Sequence, residues 1–131
     1  MNSNIIIPKK YQHDSIIETI YELNASHQFY SGYMSKSLQS ITRDILECIT
    51  NQSILCYEDC QGILTYYVNE MTKTIDIAGP FVKDYDIKKG VTLIQHVFAL
   101  YPDYQLNFFF DRKSEYYLSL MNALNASFQG D

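Results

Sequence analysis

The chain has 131 residues, the size of a single domain, and 47% of them are hydrophobic, which excludes a disordered class. Its net charge of −5 argues against a nucleic-acid binder, which needs a basic face to release counterions. No apolar run reaches the roughly 18–20 residues that span a bilayer, and Ile5–Ile7 before Pro8 is too short for a signal peptide, so no membrane partner and a cytoplasmic location are expected. The cysteines Cys48, Cys56 and Cys60 have no disulfide-framework spacing and lack the four-ligand pattern of a zinc site; free thiols and no metal are expected.

In chain order, the β-branched run Asn4–Ile7 ended by Pro8 reads as a first strand at a sheet edge. Asp14 is a candidate N-cap for a helix over about 14–24, in which Ile16, Ile17, Ile20, Tyr21 and Leu23 fall at helical spacing. A polar and aromatic loop over 25–36 follows, with Ser35 or Ser37 to cap a second helix whose apolar stripe is Leu38, Ile41, Ile45, Leu46 and Ile49. From Ser53 the period becomes two. Strands are expected over 53–58, 63–69 and 74–82, with turns at Glu58–Gly62 and Glu70–Lys73. Gly79-Pro80 marks a bulge, or a point where the third of these strands leaves its neighbour.

Residues 83–89 read as a charged connection, and Gly90–Tyr101 as a helix stopped by Pro102. The run 105–110 is apolar enough to predict a strand buried on both faces, and Ser114 is expected to cap a last helix carrying Tyr117, Leu118, Met121 and Leu124. The order β-α-α-β-β-β-α-β-α predicts an α/β (α+β) mixed sheet with helices on both faces.

That order resembles the GNAT N-acetyltransferase superfamily over residues 4 to 128, without the two strands that usually follow the family's last helix. The resemblance implies a single GNAT-like domain, incomplete at its C-terminus, that uses acetyl-CoA and transfers acetyl to a small-molecule or protein amine. In the family the coenzyme lies where the fourth and fifth strands splay. A loop of pattern Gln/Arg-x-x-Gly-x-Gly/Ala offers main-chain amides to the pyrophosphate, and the helix dipole favours the anion. The matching segment is Ile87-Lys88-Lys89-Gly90-Val91-Thr92, which keeps only the middle glycine. The implied coenzyme contacts are Phe81, Val82, Lys88, Lys89, Gly90, Val91 and Thr92.

For catalysis the resemblance implies a base on the fourth strand, where Asp76 is the one acidic residue, and a tyrosine acid on the last helix. Alignment through Ala123-Leu124-Asn125-Ala126 puts Met121 at the family's tyrosine position; Tyr116 and Tyr117 lie one turn earlier as imperfect substitutes, and Tyr117 is the implied acid. His27, Tyr30 and Tyr33, in the loop that borders the family's acceptor site, are the implied substrate contacts. The same departures leave a second reading open: a non-catalytic scaffold or the first half of a tandem protein, its unfinished sheet edge at 105–110 covered by a homodimer partner or a following domain.

Overall fold

The computed structural model describes residues 5–26, 29, 37–110 and 113–127. Five strands form one sheet in the order β1 (Ile5–Ile6), β2 (Ile54–Tyr57), β3 (Gly62–Asn69), β4 (Thr74–Val82), β5 (Gln105–Phe108). The first four pair antiparallel and β5 joins β4 in parallel. Two antiparallel connections are tight because side chains do the turning. Asp59 Oδ1 accepts from Gln61 N at 3.0 Å, and Asn69 Oδ1 accepts from Met71 N and Thr72 N. The parallel step needs a crossover, and helix α3 (Ile87–Leu100) supplies it.

Helices α1 (His13–Asn24) and α2 (Leu38–Thr50) pack on each other and on one sheet face. Ile16, Ile20 and Leu23 of α1 and Ile41, Ile45 and Cys48 of α2 are their buried stripes. Successive residues of β3 show that α3 takes the other face. The Cys48 thiol donates to the Tyr67 hydroxyl at 3.5 Å, whereas the Tyr66 ring lies 6.1 Å from Tyr101, the residue that closes α3. Helix α4 (Glu115–Ser127) packs along α3. Among the described residues no helix is long and apolar enough to cross a membrane.

Several boundaries differ from the sequence reading. Helix α1 starts one residue before Asp14, which lies in its first turn rather than at its cap. Ser37 does cap α2, its Oγ accepting from Ser40 N, and Ser114 Oγ accepts from Tyr117 N at the start of α4. Helix α3 starts at Ile87, three residues before Gly90, because Asp86 caps it. Strand β5 ends at Phe108 and is half-exposed, not buried on both faces: among the described residues it is an edge strand, paired with β4 on one side only.

The sheet is irregular at one place. Ile63 pairs with Phe81 and Thr65 with Ala78, so both Gly79 and Pro80 face Leu64. This is the bulge expected from the Gly-Pro pair; Gly79 takes φ +110°, which a side chain would oppose. Pro80 has no N–H to extend a ladder. The last β4–β5 pair is Ile77 with Phe108, two residues before Gly79, and from there β4 runs on to Val82 without β5. The bulge is anchored by buried Thr65, whose Oγ1 donates to Ala78 O at 3.1 Å. Thr65→Val keeps the shape and removes that bond. It is expected to lower stability by about 1 kcal/mol in urea unfolding; an unchanged midpoint would show that the hydroxyl does not hold the bulge.

Candidate functional site

The divergence of β4 and β5 opens beside the N-terminus of α3, so the turn between β4 and α3 forms one wall of any site there. That turn is closed by its own side chains. Tyr85 sits in the left-handed region at φ +59°, with its N–H donating to Val82 O. Asp84 Oδ2 accepts from Lys89 Nζ at 2.9 Å, and the ammonium holds the Asp84 carboxyl below its usual range. Asp86 takes the cap position: its Oδ1 accepts from Lys88 N at 2.8 Å and from Lys89 N at 3.3 Å. Gly90 N donates to Asp86 O at 3.4 Å. A carboxylate at a helix N-terminus satisfies orphan donors and complements the dipole.

The glycine itself serves packing. A Cβ built on Gly90 would lie 2.6 Å from Tyr116 Oη and 3.0 Å from Leu120 Cδ1. The Tyr116 hydroxyl fills the room that Gly90 leaves and donates to Asp86 O at 3.0 Å. Outside this contact is a shallow depression of about 520 Å³ lined by Tyr85, Ile87, Glu115, Tyr116 and Ser119.

Aromatic rings fill the divergence. Tyr117 is 1% exposed, and its hydroxyl lies 3.2 Å from Pro80 O and 3.3 Å from Phe29 O, sharing one proton between two carbonyls. Phe29, wholly buried, packs 4.9 Å from Tyr116, 5.2 Å from Tyr85 and 5.9 Å from Tyr117, centre to centre. Phe110 packs 5.6 Å from Tyr117 on the side toward β5. Burial pushes the Tyr117 phenol well above its ordinary pKa, with Tyr116 adding to the effect. The Tyr116 phenol is raised too, first by burial and then by Asp86 and Asp84.

The residues named from sequence therefore fall into separate places. Lys88, Lys89 and Gly90 share the first turn of α3, where Lys88 is exposed and Lys89 is paired. Thr92 Oγ1 donates back to Lys88 O, and Val91 is half-buried beside it. Phe81 and Val82 are fully buried opposite Ile63 and Gly62. Asp76 lies earlier on β4, before the divergence, where Asn107 Nδ2 donates to its Oδ1 at 3.1 Å. Tyr117 bonds to Pro80, on the far side of the bulge from Asp76. His27, Tyr30 and Tyr33 lie outside the described residues. No group of three or more possible metal ligands occurs among the described residues.

Among solved structures, the chain is similar to one described as a probable acetyltransferase, with a TM-score of 0.66 over 92% of this chain and 87% of that one. The fold is acetyltransferase-like. At 10% identity the likeness is one of fold alone. No known family model matches the chain, and no curated protein does.

The implied coenzyme does not fit this arrangement. A pyrophosphate needs the amides of residues 88 to 90 and close approach at a glycine. Here all three amides already donate to Asp86, and Tyr116 fills the space at Gly90. Asp86 and Phe29 were not singled out from sequence. Asp86 carried a legible signal, an aspartate directly before the apolar period of Ile87, Ile94 and Val97, but Gly90 drew the helix start to itself.

Two tests follow. Gly90→Ala should destabilise by about 1–3 kcal/mol despite alanine's better helix propensity, because the methyl meets Tyr116, and Tyr116→Phe should recover part of the loss in the double variant. The phenols of Tyr116 and Tyr117 are raised, and that of Tyr66 is pushed up to about 12 by burial with Tyr101 next. An unfolded tyrosine ionises near pH 10. Stability is therefore full below that pH and is lost above about pH 10, where only the unfolded chain gives up these protons. Denaturation midpoints across that range should fall, and less steeply for Tyr117→Phe.

Proposed function

We propose that this chain is a non-catalytic acetyltransferase-like domain, a scaffold or pairing half, whose splay is filled by its own side chains. The carrying observation is the Asp86 carboxylate on the amides of Lys88 and Lys89. An incoming pyrophosphate would exchange one anion for another while meeting the expelled Asp86 charge. Lys89, the cation best placed to compensate, is already held by Asp84. A phenol that acts as an acid must touch its substrate, but the Tyr117 hydroxyl is enclosed between two main-chain carbonyls. Asp76 is likewise engaged by Asn107 as a cross-strand pair.

A second reading is acetyl-CoA-dependent acetyl transfer to an amine, and the splay itself favours it: among the described residues, β4 continues from Ala78 to Val82 with no strand on its β5 side. That reading requires Asp86 to release both amides and Tyr117 to leave Pro80.

Calorimetry and thermal shift with millimolar acetyl-CoA separate the two, on the natural chain and on Asp86→Ala. The scaffold reading expects no heat and no shift for the natural chain. Saturable binding by it would overturn that reading. Binding by Asp86→Ala alone would support it, by identifying the carboxylate as what closes the site.

A further inference from the structure

The sheet has two edges, and they are unlike. β1 is two residues long. β5 has four residues, and Tyr104–Phe110 contains neither the charges nor the proline that commonly blunt an exposed edge. Gln105 N donates to Lys73 O on the β4 side. By the alternation of a strand, the N–H and C=O of Leu106 and Phe108 point outward, away from β4.

Beside this edge is a groove of about 560 Å³ whose lining includes Phe98, Tyr104, Leu106, Phe108, Met121 and Leu124 and holds no charged residue. This neutral strip lies on a chain of net charge −5, where two copies repel except where uncharged surfaces meet.

We propose that β5 pairs antiparallel with β5 of a second copy, about a twofold axis at Leu106. In that register Leu106 exchanges both main-chain bonds with Leu106 of the second copy. Gln105 falls opposite Asn107 of the second copy, and Tyr104 opposite Phe108 of the second copy. Opposed residues of antiparallel strands share a face, so apolar side chains meet on the groove face and amides meet on the other. The strand is thus self-complementary, as an isologous contact requires. The two grooves become continuous across the axis, and two five-stranded sheets become one. The proposal rests on the scaffold reading, for which it names the partner.

The test is sedimentation across a concentration series, with hydrogen exchange read at both ends of it. A species of twice the monomer mass is expected, with the amides of Leu106 and Phe108 slowed about tenfold or more relative to the dilute protein. Leu106→Pro removes an outward N–H and no main-chain bond to β4, at the cost of the half-buried leucine side chain, so it should leave a folded monomer. A monomer at every concentration overturns the proposal. So does a dimer whose Leu106 and Phe108 amides stay fast, since its interface lies elsewhere. If Leu106→Pro fails to fold, the exchange measurement on the natural chain decides alone. Acetyl-CoA binding by a dimer would overturn only the scaffold reading, and a monomer that binds none would overturn only the pairing.

Discussion

β4 parts from β5 after Ile77, and the rest of this end of the molecule answers that separation. A strand that outruns its partner leaves carbonyls and amides that something must satisfy. The bulge at Gly79-Pro80 lowers the demand by removing one N–H and bending the strand. Tyr117 meets part of the remainder by placing its hydroxyl on Pro80 O, and Phe29 and Phe110 close the ring around it. The chain has twelve tyrosines, a high content that acquires a purpose here. A phenol fills apolar volume and still carries a donor to the main chain.

The start of α3 shows how one architectural feature can be spent in two ways. A helix N-terminus attracts an anion, and a chain can leave that role to a ligand or fill it itself. Here Asp86 fills it, the Tyr116 hydroxyl bonds to the carbonyl of the same residue, and Gly90 keeps the two helices close enough for that contact. Three residues, Asp86, Gly90 and Tyr116, become one packed joint between the start of α3 and α4. The fold, similar to that of a solved structure described as a probable acetyltransferase, depends on the sheet and its helices and not on what occupies the splay.

The two ends of the sheet divide the labour differently. The β1 edge is short, and Gln12 supports it by donating to Glu58 O. The β5 edge has four residues and no charge, and among the described residues nothing pairs with its outer side.

Much of the architecture was legible from sequence because it rests on local periodicity. The meander from β2 to β4 follows the period-two run after Ser53, α1 and α2 follow their apolar stripes, and Gly79-Pro80 announced the bulge. Ser37 and Ser114 were readable as caps because a cap acts within three residues. The half-exposure of β5 was not readable, since an apolar run looks the same at an edge as in the middle of a sheet. Nor could residue order show that Tyr117 would reach Pro80, or that Tyr116 would occupy the room above Gly90. The sequence alone determined which elements form and in what order, because helix and strand periods are properties of neighbouring residues. Only the tertiary structure decided whether the amides at α3 face a ligand or a side chain, because that depends on which distant groups the packed chain brings to them.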